Sequence, residues 1–275
     1  MWRERPEFIQ PIMIVAFEGW NDAGDAASDA VRFLIEQWDA HSFASIEAES
    51  FFDFTTHRPT VHLGADGERR IDWPENTFWK ATPPGAPDVI LLSGTEPHLR
   101  WRTFCDHVLE VAATTQTRLV LTLGSLLADV PHSRPASVFG TAHDPKVMEA
   151  LGLERSRYEG PTGIVGVLHD ECAGAGINSA SLWAAVPSYV AAVPSPKAQH
   201  ALVHRVCEML RTEVDDSGLQ AEALAYERQI SGLVAEDDET VAYVRHLEEV
   251  HDREASATGG VDALVDELER FLREQ

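Results

Sequence analysis

The chain has 275 residues, 44% of them hydrophobic, enough for one large domain with a sizeable core. Its formal net charge is −23, so repulsion excludes nucleic acid and anionic membrane surfaces as expected partners. From Glu213 to Gln275 stand 18 acidic against 5 basic residues, more than half of the acidic excess, which marks a separate, heavily solvated C-terminal unit. Cys105, Cys172 and Cys207 are far apart and form no CxxC pair, so neither a disulfide framework nor a zinc site is suggested. The expected setting is a reduced cytoplasm. The start, MWRERPEF, lacks the apolar stretch of a secretory signal. The longest apolar run, Leu182–Val193, is interrupted by Pro187 and is too short to cross a bilayer.

In chain order, Ile12–Phe17 reads as a buried strand, followed by Gly19 and a helix over Ala23–Trp38. Ala27, Ala30, Val31, Leu34, Ile35 and Trp38 recur there at three- and four-residue steps, and Asn21 or Asp22 is the natural N-cap. Phe43–Phe54 is mixed. Thr60–Leu63 and Arg69–Trp73 flank GADGE, whose Asp-Gly pair signals a hairpin, and a further strand lies near Thr77–Ala81. PPGAP (Pro83–Pro87) is a turn. A strand over Asp88–Leu92, a helix over Arg100–Ala113 and a strand over Arg118–Leu123 form a second unit. Gly124 ends that strand, and a helix or turn covers Ser125–Asp129 before the loop PHSRP.

Strands over Ser137–Thr141 and Glu154–Tyr158 flank a short helix, Pro145–Leu151, with Asp144 as cap and Gly152 as stop. Tyr158–Ala198 is rich in Gly, Ala and Pro and poor in charge. Thr162 caps a helix over Gly163–Ala175 ending at Gly176, although a strand over Ile164–Leu168 competes with it. Ser181–Val186 is a strand and Lys197–Thr212 a helix. Amphipathic helices over Leu219–Val234, Glu239–Val250 and Val261–Leu272 complete the chain. Alternating strands and helices followed by helices alone predict an α/β core, residues 1–212, with an acidic α-helical extension, residues 213–275.

Several motifs in fixed order resemble the proteasome assembly chaperone family, the second of the paired chaperones, in its bacterial form. They are EGWNDAGDAA (Glu18–Ala27), Arg58–Pro59, TEPHLRW (Thr95–Trp101), LGSLLADVPHSRP (Leu123–Pro135), YEGPTGIVGVL (Tyr158–Leu168), SLWAAVPSYV and PSPKA. The resemblance covers most of residues 12–212, and the acidic tail resembles the helical extension of the actinobacterial branch. It implies a three-layer α/β/α fold with a mixed, mostly parallel sheet, similar to phosphorylase and hydrolase folds. It also implies self-association, and proteasome α-subunits as partners. One departure stands out: Phe271–Gln275 lacks the hydrophobic–tyrosine–any ending by which such chaperones often dock on proteasome rings.

Ligands of α/β sheets bind beyond the carboxyl ends of the strands. Three loops belong there: Glu18, Asn21 and Asp22 after the first strand; Glu96 and His98, with Thr95, after the second; Ser125, Asp129 and His132 after the third. Histidines with carboxylates are the material of a metal site or an acid–base pair, yet no spacing here is diagnostic. The plainer reading makes Asn21 and Asp22 helix caps and gives the rest loop-bonding roles. Ser125 lacks the second glycine of a nucleophile elbow, and Gly19–Gly24 lacks a Walker lysine. The run His169–Cys172 spreads round a helix rather than converging, with Cys172 inward and His169 and Asp170 outward. Trp20, Trp73, Trp79, Trp101 and Trp183 read as core or interface anchors. No catalytic residue, metal or cofactor is assigned. The leading expectation is a non-enzymatic, self-associating, chaperone-like or scaffold protein, a homo-oligomer such as a trimer. The alternative is a small-molecule hydrolase or phosphorylase-like enzyme in which Glu96, His98, Asp129 and His132 share one pocket.

Overall fold

The computed structural model describes residues 2–64 and 66–256. Its centre is β1 (Ile12–Glu18), six of whose residues are buried. Successive strand side chains face opposite ways, so the unbroken apolar run Ile12–Phe17 must be covered on both sides. Ile12, Ile14 and Ala16 enter one core; Met13, Val15 and Phe17 enter the other.

A 3-10 turn (Ala23–Asp25) leads into α1 (Ala26–Gln37), then β2 (His41–Ile46). The hairpin β3 (Thr60–Leu63) and β4 (Arg69–Asp72) forms its own two-stranded sheet. Next come β5 (Asn76–Ala81), β6 (Val89–Thr95), α2 (Trp101–Thr114), β7 (Leu119–Ala128), β8 (Val138–Ala142) and α3 (Pro145–Leu151). The remainder is α4 (Ile164–Gly174), β9 (Ser179–Pro187), a 3-10 turn (Ser188–Val190), α5 (Pro196–Leu210), α6 (Ser217–Val234) and α7 (Asp238–Ser256). The main sheet runs β2-β5-β6-β1-β7-β9-β8. β6, β1, β7 and β9 are mutually parallel, and β5, β2 and β8 add antiparallel margins. Helices α1 and α5 cover one face and α2 and α4 the other, giving the expected three-layer α/β/α arrangement with a helical extension. α6 joins the first core through Leu219, while Tyr226, Ile230 and Val234 pack with Val244 of α7 in a satellite cluster over Tyr189, Val190 and Val193.

The structure departs from the sequence expectations in four places. No helix or turn interrupts 125–129: β7 continues to Ala128 because β9 pairs with it residue by residue from Val120 through Ala128. Gly124 is therefore no terminator. A Cβ there would lie 2.6 Å from the Trp183 ring, so the glycine admits that indole against the sheet. Residues 154–158 form no strand beyond one bridge between Glu154 and Thr141. The N-cap of α4 is Gly163, with no side-chain cap of its own. His169 is buried, its ring stacked on His143 with centroids 4.2 Å apart, because α4 packs there against the β8–α3 connection rather than facing solvent. The helix expected over 261–272 lies outside the described residues.

All three cysteines are free and buried. Burial, with nearby acidic groups adding to it, pushes the thiols of Cys105 and Cys172 up to about 12 and that of Cys207 up to about 11. The native protein is therefore expected to leave a thiol-reactive disulfide reagent unconsumed at mildly alkaline pH, with all three thiols reacting once guanidinium unfolds the chain. Rapid native labelling would contradict this burial.

Candidate functional site

The carboxyl ends of the parallel strands carry the polar residues singled out from the sequence. Glu96 is central among them. Its backbone N–H donates to the Glu18 carbonyl at 2.9 Å, which holds the two strand ends together. One carboxylate oxygen accepts from Asn21 Nδ2 at 3.2 Å and from the backbone N–H of Ile164 at 2.9 Å. The other accepts from the Trp20 N–H at 3.3 Å. Glu96 thus caps α4 from a different loop, placing negative charge where the helix presents unbonded N–H groups. Asn21 lies so close that a Cβ on Gly163 would collide with its amide group. Motif residues of three separate segments are therefore consumed in one joint.

Glu18 turns toward α1: it accepts from Arg32 Nη1 at 2.6 Å and from Thr95 Oγ1 at 3.2 Å. Asp22 is buried and caps α1 across the 3-10 turn, Oδ1 accepting from the N–H groups of Ala27 at 2.8 Å and Ser28 at 3.2 Å. Burial pushes its carboxyl up to about 6, against the lowering effect of those hydrogen bonds. Its Oδ2 has no partner among the described residues. Ser125 Oγ donates to the Ala23 carbonyl at 2.9 Å and reaches Asp22 Oδ1 at 3.4 Å, so its bonds tie β7 to the first loop. A cavity of about 370 Å³ opens at this end of β1, β7 and β9, walled by Trp20, Asp22, Asp25, Ser125, Trp183 and Val193 among others.

The other three candidates stand elsewhere. His98 Nδ1 accepts from the Asp53 N–H at 3.0 Å, with its ring against Phe52 and His57. Asp129 accepts from Ser188 Oγ at 3.0 Å and from the Tyr243 hydroxyl at 2.8 Å. His132 is buried beneath α6, with Nδ1 2.8 Å from the Tyr189 hydroxyl and Nε2 3.0 Å from Ser231 Oγ. Burial first, and then the Lys197 ammonium, hold its pKa below the ordinary imidazole value. Glu96 and His98 are bonded to segments other than those that hold Asp129 and His132, whereas Asp129 and His132 both bond to the 3-10 turn Ser188–Val190. Among the described residues, no group of three or more His, Cys, Asp and Glu is placed to hold a metal ion.

The structure also reveals residues that sequence reading passed over. Arg134 of the PHSRP loop makes a two-pronged pair with Asp252 of α7, both contacts 2.8 Å, and Ser133 bonds to Glu248. Lys197 donates to the His132 carbonyl at 2.5 Å and pairs with Glu227 of α6. These contacts fasten the acidic extension over the ends of β7 and β9. The motif loop was visible as a motif, but nothing local announced partners about a hundred residues away.

Two outcomes test this description. Glu96→Ala removes three hydrogen bonds to a charged acceptor and should lower unfolding free energy in urea by about 2–3 kcal/mol, whereas exposed His98→Ala should cost under about 1 kcal/mol. Equal effects would show that Glu96 is no joint. Asp22 is protonated more readily in the folded than in the unfolded chain, so its contribution is greatest near pH 4 and is lost as pH rises through about 6. Relative to Asp22→Asn, the natural chain should lose up to about 3 kcal/mol between about pH 4 and pH 7. A flat difference would contradict the burial of this carboxyl.

A model of the PAC2 family matches residues 16–234. No curated protein matches the sequence. The structure is similar to a PAC2 family protein from Streptomyces avermitilis, at 43% identity and TM-score 0.80, covering 85% of this chain and 99% of that one. It is also similar to a proteasome-assembly chaperone homologue from Mycobacterium tuberculosis, at 46% identity and TM-score 0.77, with the same coverages of 85% and 99%. An archaeal proteasome activator from Pyrococcus furiosus shares the fold at 19% identity, TM-score 0.69, covering 85% of this chain and 97% of that one. The family model runs from the end of β1 through α6, and the joint at Glu96 unites three of the motifs by which the sequence resembles that family: the chain belongs to the PAC2 family.

Proposed function

We propose that this protein is a non-enzymatic, self-associating, chaperone-like scaffold of the cytoplasm, with proteasome α-subunits as its partners. In this reading an α/β core, residues 1–212, carries the assembly surface, and residues 213–275 form its acidic appendage. The proteasome part rests on the M. tuberculosis relative, which is described as a proteasome-assembly chaperone homologue. The non-enzymatic part is supported by the polar groups at the strand ends, most of which are occupied in caps and cross-links between segments.

The observation that carries self-association is the β3–β4 hairpin. Val61 stands opposite Ile71 and Leu63 opposite Arg69, so Val61, Leu63 and Ile71 share one face, and Trp73 follows at the same alternation. The opposite face holds His62 paired with Asp72. The apolar face is open to solvent: Leu63 is 73% exposed, and Val61, Ile71 and Trp73 are each about half exposed. Isolated two-stranded hairpins are marginal in water, and a rim of apolar side chains on one face requires a cover. A second copy supplies one. The cleft between the hairpin and β2 combines Ile46, Phe54 and Trp73 with the acidic rim of Glu47 and Glu49, and the hairpin carries Arg69 near its tip, beside Arg70, which pairs with Asp66 of the turn. Two copies each carrying −23 repel overall, so a contact pairing these opposite charges is the favourable place for them to meet.

Light scattering should give a mass well above the 30.3 kDa of one chain at micromolar concentration. Leu63→Asp with Ile71→Asp, both at exposed positions, should return the single-chain mass with unchanged circular dichroism. A single-chain mass for the natural protein across dilution, or an assembly indifferent to the substitutions, would overturn the hairpin reading. Separately, crosslinked pull-down from the native host should enrich proteasome α-subunits; none would count against the proteasome partner while leaving self-association standing.

A further inference from the structure

We propose that the histidine pair His200 and His204 of α5 is a chelating site for a divalent transition-metal ion of the zinc type. Of the chain's 12 histidines, only these two stand four residues apart, and no two stand three apart. Residues i and i+4 of a helix lie one above the other on a single face, with their Cβ atoms about 5–6 Å apart. The two rings are 6.5 Å apart between centroids. Two imidazoles on one zinc ion, each with its nitrogen about 2.0–2.1 Å from the metal, bring the ring centroids to about 5–6 Å. A small turn about χ2, a torsion that is soft in histidine, closes the difference.

The carboxylates around the pair point to a metal independently of the spacing. A metal-bound imidazole gives its other ring N–H to a carboxylate or carbonyl, which fixes the tautomer and raises the basicity of the ligand. Both histidines have a carboxylate in that place. His200 Nε2 lies 2.9 Å from Asp216 Oδ2, and His204 Nδ1 lies 3.6 Å from Glu208 Oε1. His200 Nδ1 and His204 Nε2 remain for the ion, and neither has another partner among the described residues. Asp216 comes from a different element. It is the N-cap residue of α6, yet its side chain makes no cap hydrogen bond and turns to His200 instead. The site therefore stands where the acidic extension leaves the core.

Charge and donor type select the ion. A cavity of about 510 Å³ beside His204 is lined by Glu208, Glu213 and Asp216 against Arg211. Arg205 lies 3.4 Å from the second oxygen of Glu208. Three carboxylates against two guanidinium groups, in a protein of net charge −23, favour a cation. Magnesium and calcium take six or more oxygen ligands, whereas imidazole nitrogen suits zinc, nickel and copper. Cys207 lines the same cavity, but burial pushes its thiol up to about 11, so the chelate rests on nitrogen rather than sulfur.

Calorimetric titration of the tag-free full chain with zinc chloride, nickel chloride and magnesium chloride at pH 7.5 tests this proposal. Zinc and nickel should each bind saturably with a Kd on the order of 10–100 μM, since half the ligands of a closed structural zinc site are present. Magnesium should bind at least about a hundredfold more weakly. His204→Ala, at a side chain 62% exposed and so tolerated by the fold, should weaken zinc binding by at least about tenfold, and so should His200→Ala. Asp216→Asn should weaken it by about tenfold at unchanged stoichiometry, the effect of losing a carboxylate that orients a ligand. His246→Ala on α7 should change nothing. An isotherm indifferent to both His200→Ala and His204→Ala, equal binding of magnesium, or no saturation by about 1 mM zinc would each overturn the proposal. The hairpin substitutions should leave this titration unchanged, which separates its outcome from that of self-association.

Discussion

The carboxylate of Glu96 is the constraint on which the upper edge of the sheet depends. Three donors from two other segments converge on it: the backbone N–H groups of Trp20 and Ile164 and the amide of Asn21. A carboxylate has no hydrogen to donate and room for several acceptors, so one side chain can pin the loop after β1 and the start of α4 to the end of β6. The close approach it enforces explains Gly163, where any side chain would strike Asn21. It also aligns α4, which covers one face of the sheet, with α1, whose cap Asp22 sits in the same loop as Asn21.

Beyond that joint, the strand ends are divided between two environments. Over β7 and β9, the extension lies on the PHSRP loop through Arg134, Ser133 and His132, and on the start of α5 through Lys197. Acidic helices find cations there in a chain that has few to spare, so their charge serves attachment as well as solvation. Between β1 and β9 a cavity remains open, with acidic and aromatic walls. The hairpin faces a third environment. Its apolar face is open at Val61, Leu63 and Ile71, Trp73 packs against Phe54, and Arg69 stands near its tip beside the Arg70–Asp66 ion pair.

Much of the fold was legible because periodicity and capping are local. IMIVAF announced a strand buried on both faces, and β1 is that strand. The Asp144 and Gly152 punctuation of α3 is realised, with Asp144 accepting from the N–H of Lys146 at 2.7 Å. The Asp-Gly pair of GADGE made the hairpin over Thr60–Leu63 and Arg69–Trp73 readable, although its independence from the main sheet was not. Local reading failed where a partner from afar decided the outcome. Gly124 looked like a stop because its role depends on Trp183 of a neighbouring strand. Thr162 looked like a cap because the true acceptor for α4, Glu96, lies 68 residues earlier in the chain.

The sequence by itself determined the α/β class, the order of most of its strands and helices, the acidic extension and the family motifs, all of which follow from hydrophobic period, turn chemistry and charge. Only the tertiary structure decided what the motif residues do. It brought Asn21, Glu96 and Ile164 into one joint, sent His98 to the Asp53 backbone, and set both Asp129 and His132 against the turn Ser188–Val190. It also buried Asp22 and left one of its oxygens without a partner among the described residues. The physical reason is that a side chain's hydrogen-bond partners and its desolvation are set by segments far away in the chain, and no window of sequence contains them.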